Sequence, residues 1–329
     1  MNKTFKALGI ALAVSAAFSL TGCGDKGADK IELRIAQASA GDGAIGLSLE
    51  KFAKDVEQKS NGRIVIHTFH NGQLGSEREN VESVQAGDLD MAVVNQSVLV
   101  NFEPTIAVFD LPYTITSTEH ADKVFLGDIG KEYLAKLDKS NLHGFAIWES
   151  GFRNLTNSVK DVTSVDDVAG LRIRVMENKI HQELWSTLGA DPVPMSWSDA
   201  YTGLQQGAID GQENPATVID KNNVVEVNKH MAMTEHCYST VFILFAPKVW
   251  NGLKPEDQKI LNDAMAQASV DERALSRKMD KEAISNLEAK GMKVTYPDKT
   301  GFIEKTQSVR DRYSADFKEM ADKISALSK

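Results

Sequence analysis

Three short stretches carry groups suited to holding an organic anion. They read Ile147-Trp148-Glu149-Ser150-Gly151-Phe152-Arg153-Asn154, Gly170-Leu171-Arg172-Ile173-Arg174-Val175 and Gln206-Gly207-Ala208-Ile209-Asp210-Gly211-Gln212-Glu213-Asn214-Pro215. In the second, Leu171, Ile173 and Val175 alternate with Arg172 and Arg174, so both arginines leave one face of a strand. Arg174 lies nearer the carboxyl end, where ligands of open α/β sheets sit; Arg172 lies nearer the start and reads as a surface residue. Arg153 ends a strand just after Gly151, a residue that tolerates an unusual turn. A guanidinium is a planar fork that matches a carboxylate bidentately. Arg153, Arg174 and the Asn214 amide together suit one bound carboxylate. The alternative is that the arginines pair with native acids such as Glu149 or Glu213.

The surrounding pattern says what positions these groups. Strand-like runs at Ile31–Ala36, Arg63–Phe69, Leu89–Val94 and His143–Trp148 alternate with helical runs at Leu47–Ser60, Ser76–Gly87 and His120–Leu137. That alternation predicts a parallel α/β sheet. Helices over Asn178–Leu188 and Ser198–Gln206, the latter capped by Ser198, are predicted beyond Phe152. Gln85-Ala86-Gly87-Asp88-Leu89-Asp90 is echoed by Gln205-Gln206-Gly207-Ala208-Ile209-Asp210, and Asn95 and Asn214 follow within five residues. Two lobes of similar build are expected. Val241–Phe245 is an apolar strand returning to the first lobe. From Pro255 to Gly291 runs one long helical pattern of about 50 Å, long enough to cross both lobes. A last amphipathic helix spans Phe302–Leu327.

The chain has 329 residues, 42% hydrophobic and 25% charged, with a formal net charge of −9. An acidic chain without a basic patch excludes a nucleic-acid partner. Lys3 and Lys6 precede an apolar run, Ala7 to Leu20, too short to cross a bilayer, as in a secretory signal. Removing residues 1–22 deletes two lysines and no acid, leaving −11. Leu20-Thr21-Gly22-Cys23 resembles a lipobox, which would make Cys23 a lipidated first residue; ordinary cleavage that discards Cys23 is the other reading. The polar stretch to Lys30 suits a tether. Cys237, the only other cysteine, has no partner for an intramolecular disulfide and reads as a buried small hydrophobe.

Gly151-Phe152-Arg153-Asn154-Leu155-Thr156-Asn157, Gly170-Leu171-Arg172-Ile173-Arg174-Val175 and Asp210-Gly211-Gln212-Glu213-Asn214-Pro215 resemble the signature segments of DctP-type substrate-binding subunits of tripartite ATP-independent periplasmic (TRAP) transporters. Gly72-Gln73-Leu74-Gly75, Ala86-Gly87-Asp88-Leu89-Asp90-Met91, Pro192-Val193-Pro194-Met195 and Ala200-Tyr201 extend the likeness over nearly the whole mature chain. The resemblance implies a two-lobed periplasmic-binding-protein architecture, α/β in class, with a long helix spanning both lobes. It implies a carboxylate held by Arg174, with Arg153 and Asn214 as supporting donors. It places Gln37, Glu77, Asn95, Gln96, Trp148, Glu149 and His181 along the pocket, although His181 reads equally well as an exposed first-turn residue. Polar groups beyond the clamp suit a sugar acid or a C4-dicarboxylate. The sequence departs from the family pattern after Val175, where Met176-Glu177-Asn178 stands in place of a proline.

The expected organisation is a signal peptide (1–22), a tether (23–30), a first lobe (31–151 plus 240–279) and a second lobe (152–239 plus 280–329). A monomeric periplasmic protein is expected, without cofactor or metal, delivering its acid to TRAP membrane subunits and touching the membrane only through a lipid on Cys23. The alternatives are a binding protein serving a sensor or another transporter, and an extracytoplasmic hydrolase or lyase. The sequence has no Gly-x-Ser-x-Gly elbow and no His-Glu-x-x-His, and His67 and His70 have poor metal spacing.

Overall fold

The computed structural model describes residues 30–328. The predicted signal, Cys23 and all but the last residue of the tether lie outside them. The strands are β1 (Ile31–Ala36), β2 (Ile64–Phe69), β3 (Met91–Asn95), β4 (His143–Phe152), β5 (Asn154–Asn157), β6 (Arg172–Val175), β7 (Asp191–Pro194), β8 (Gly211–Asn214), β9 (His230–Ala232), β10 (Tyr238–Phe245) and β11 (Lys293–Thr295). They form two sheets, ordered β2-β1-β3-β10-β4 and β11-β9-β5-β8-β6-β7.

The sheets are mixed rather than parallel. β1 runs parallel to β2 and β3, but β10 pairs antiparallel with β3 and β4. In the second lobe β6 runs parallel to β7 and β8, while β5 is antiparallel to β8 and β9. The swap has a chain-path reason: β4 runs into β5 across the lobe boundary, and β10 returns the chain from β9. The predicted echo is a structural repeat. Arg34 of β1 donates through its backbone N–H (2.8 Å) and Nε (3.1 Å) to Asp90. Arg172 of β6 does the same to Asp210, at 2.9 and 3.1 Å. Each aspartate follows a glycine in the left-handed region, Gly87 (φ 80°) and Gly207 (φ 69°).

Alternation gives the first sheet two apolar faces. Ala92, Val94, Phe242 and Leu244 enter one core; Met91, Val93, Ile243 and Phe245 enter the other, with Leu49 and Phe52 of the helix Ala44–Lys59. Pro192 and Pro194 sit on β7, an edge strand, where a missing N–H costs no ladder bond. The helix Glu77–Ala86 starts at Ser76 with a reciprocal Ser76/Glu79 capping box and stops at Gly87.

Local differences from the sequence reading have local causes. The helix expected over His120–Leu137 is two, Thr118–Phe125 and Asp128–Lys136, because extended Gly127 intervenes as a new N-cap. Ser196 rather than Ser198 caps the helix Trp197–Gln205. The long helix runs Pro255–Ala289, 35 residues. Its Leu261, Ala264, Met265 and Ala268 pack in the first lobe, and Ala283 and Leu287 in the second. The C-terminal helix Gln307–Ala326, expected with the second lobe, straddles both: Val309 and Ile324 enter the first lobe's core, while Tyr313 (3.1 Å) and Arg312 (2.6 Å) bind Glu183 of the second.

Candidate functional site

The carboxyl ends of β3 and β8 face each other across the lobe boundary. Asn95 and Asn214 end them and line a cleft together with Glu77, Arg153 and Arg174. Ile45, Met176, Trp197, Val218 and Val241 supply its apolar walls. Ser39 and Ser150 continue into an adjoining cavity bounded by Glu149 and Lys221.

Arg174 is 2% exposed. Its Nε donates to the Met195 carbonyl (2.8 Å), and its guanidinium carbon lies 5.5 Å from the centroid of the Trp197 ring. Among the described residues no acid lies within ion-pair distance of it. Burial pushes its pKa down to about 10, opposed chiefly by Glu213, so it remains charged at neutral pH. Its two terminal nitrogens are the donors the cleft offers to an anion.

Arg153 is different, and the expected free pair of arginines is not present. Arg153 is 1% exposed and ion-paired with fully buried Glu213. Nη2 donates to Glu213 Oε1 (3.0 Å) and to the Glu213 carbonyl (2.5 Å), and Nη1 to Ser239 Oγ (3.3 Å). Burial alone would lower the Arg153 pKa; Glu213 more than offsets this and the net shift is upward. Burial likewise opposes ionisation of Glu213, but Arg153 and His236 Nε2 (3.0 Å) hold its carboxyl far below the ordinary range. The reason is register: Asn154 faces Asn214 in the β5–β8 ladder, which brings the neighbouring Arg153 and Glu213 together.

Glu77 is half-buried, with its carboxyl accepting the Asn95 N–H (3.0 Å). Burial raises its pKa, opposed by that hydrogen bond and by Arg174 and Arg153. Asn95 spends one amide N–H on Ser239 Oγ (2.7 Å), and Asn214 one on Gln212 Oε1 (2.6 Å). Each retains a second N–H.

Other predicted pocket residues sit elsewhere. Trp148 is fully buried in the first lobe and donates to Ser269 Oγ (2.8 Å), because alternation along β4 turns it into the core. Gln96 is consumed by Phe109 O, Asp110 and Tyr238 O as donor and by Thr240 as acceptor. His181 is neither exposed nor at the cleft wall: it is fully buried, 3.5 Å from Asp110 and 3.9 Å from Glu213. Gln37 is buried against His70 Nδ1 (2.7 Å). Glu149 borders the adjoining cavity, but Arg277 (2.8 Å) and Arg273 (3.4 Å) from the long helix neutralise it. Ser39 and Ser150 were missed. Ser39 stands three residues past the carboxyl end of β1, in the glycine-rich entry to a helix, on the same side of the sheet as the end of β3 at Asn95.

Two mixed α/β sheets, a helix through both and a buried, unpaired cation in the crevice between them define a two-lobed binding protein for a small anion. Residues 35–316 match the family described as bacterial extracellular solute-binding protein, family 7 (DctP), and the chain belongs to that family. A solute-binding protein of Verminephrobacter eiseniae is 35% identical over 286 residues, covering 87% of this chain and 85% of its own. Among solved structures, a TRAP periplasmic solute-binding protein of a Polaromonas species bound to D-erythronate has a TM-score of 0.87 and 33% identity, covering 91% of this chain and 98% of that one. The sugar acid binding protein of Advenella mimigardefordensis in complex with galactonate also has a TM-score of 0.87, at 28% identity and the same coverage of both chains. The protein is a solute-binding protein of the kind that serves TRAP transporters.

Proposed function

We propose that the protein captures a small polyhydroxylated monocarboxylate between its lobes, without chemical change, and delivers it to TRAP membrane subunits. The observation that carries this reading is Arg174, a buried guanidinium that lines the cleft and has no acid partner among the described residues. Arg153 has spent its charge on Glu213, which leaves Arg174 as the cleft's cation for one ligand carboxylate. A second carboxylate finds no second free arginine in the cleft, since Arg153 is bound to Glu213. Ser39, Ser150 and the spare N–H groups of Asn95 and Asn214 suit hydroxyls instead. The D-erythronate and galactonate bound to two structural relatives support the same class. We also propose attachment to the outer face of the membrane through a lipid on Cys23.

Calorimetry with D-erythronate, galactonate, D-glucuronate and succinate tests the reading. At least one sugar acid is expected to bind, with succinate weaker. Arg174→Ala is expected to cost about 2–5 kcal/mol of that affinity, because the ligand's charge loses its buried partner. Unchanged affinity in that variant would overturn the assignment.

A further inference from the structure

Two ion pairs bridge the lobes at opposite ends of the cleft, and neither belongs to the clamp described above. At one end Arg78, on the first-lobe helix Glu77–Ala86, donates through Nε to Glu177 Oε2 of the second lobe at 3.3 Å. Asn101 Nδ2 donates to the Glu177 carbonyl at 3.0 Å and adds a second cross-lobe bond there. Arg78 is held in place by the Phe102 ring, 5.9 Å from its guanidinium carbon to the centroid. At the other end Asp42, in the loop before the first-lobe helix Ala44–Lys59, lies 3.6 Å from Lys221 Nζ at the end of the second-lobe helix Ala216–Lys221. Lys221 borders the cavity that continues from the cleft, whereas Arg78 and Glu177 border a small recess beside Arg174.

We infer that Arg78–Glu177 and Asp42–Lys221 are closure latches: positioning residues that set ligand affinity by holding the lobes shut without touching the ligand. Each pair joins groups on different lobes, so any opening that moves the two groups apart breaks it; the neighbouring Asn178 donates to Ser97 O (3.1 Å) and Asp110 Oδ2 (2.7 Å) of the first lobe and sets Glu177 beside a fixed contact. Contacts made in one of two states shift the balance by their difference between those states. The pairs are partly exposed, with Arg78 and Glu177 36% and 39% accessible and Lys221 and Asp42 29% and 69%. Each therefore contributes modestly and is weakened by salt.

Glu177 offers a test with opposite signs. Its charge also acts on Arg174, making the cleft less attractive to anions. If that were its whole role, Glu177→Gln would tighten anion binding. As a latch, Glu177→Gln is expected to weaken D-erythronate binding about two- to fivefold in calorimetry, mainly through faster release. Arg78→Glu is expected to weaken it about tenfold, and Arg78→Glu with Glu177→Arg to restore it to within about threefold. The affinity readout rests on the function proposed above, so a second readout needs no ligand. Spin labels on Lys54→Cys and Gln206→Cys, in a Cys23→Ser background, report the lobe-to-lobe distance of the free protein. Arg78→Glu is expected to lengthen that distance, and the charge swap to reverse it. A distance unchanged by charge reversal, or tighter binding by Glu177→Gln, overturns the latch whether or not D-erythronate is a ligand.

Discussion

Arg153 and Arg174 have the same side chain and nearly the same burial, and neighbours alone separate their roles. Arg174 keeps its charge for a guest because its Nε donates to a carbonyl and no acid among the described residues lies within ion-pair distance of it, while Arg153 is locked to Glu213. Removing one partner of a buried pair strands the other charge in a low dielectric. Glu213→Gln is therefore expected to destabilise the protein by about 3–5 kcal/mol, seen as a lower melting temperature at neutral pH. Because the folded pKa of Glu213 is depressed, its contribution is present above the ordinary value near 4.5 and is lost as pH falls through the folded value. The gap between wild type and variant should thus close in strong acid. The two arginines were legible as candidates from their strand positions; that Glu213 would claim one of them was only an alternative, since pairing depends on which residues face across β5 and β8.

Among the elements, the long helix Pro255–Ala289 joins the lobes, and it carries a buried acid the ligand site does not use. Glu272 Oε2 accepts the Glu149 N–H (3.0 Å), while Oε1 has no partner. Burial raises its pKa to about 8, opposed by that hydrogen bond and Arg273, with Glu149 adding to the rise and Arg277 opposing it. The folded state therefore binds a proton that the unfolded chain releases near pH 4.5. Stability falls as pH rises from there to about 8, where the carboxyl must ionise in the interior. Glu272→Gln is expected to raise the melting temperature by several degrees at pH 8.5 and to change it little at pH 4. A melting curve that moves equally at both pH values would refute a proton on Glu272. The helix itself was legible from Pro255 to Gly291, because period and end signals are local; its buried glutamate was not, because burial belongs to the packed lobes.

At the scale of the whole molecule, the cleft lies between lobes connected by the β4–β5 crossing, the link from β9 to β10 and the long helix. Gly151, with φ at 113°, sits in the first crossing, a conformation that glycine adopts without strain. Hinge bending there is expected to open and close the site. Small-angle scattering is expected to show a smaller radius of gyration on adding a bound sugar acid, and the same radius with and without acid for Arg174→Ala. Contacts from both lobes to one ligand supply the differential affinity for the closed form.

By itself the sequence determined the two-lobed α/β plan, the internal repeat, the bridging helix and the arginine at the end of β6, because alternation, helix stops and strand ends are set within a few residues. It also carried the family likeness. Only the tertiary structure decided that β10 returns antiparallel, that the last helix packs on the first lobe as well as the second, and that Trp148, Gln96 and His181 are buried away from the cleft. Those outcomes depend on which faces meet across tens of residues. The same packing left Arg174 without an acid and gave one to Arg153, and so turned a pair of candidate cations into a single charge in wait.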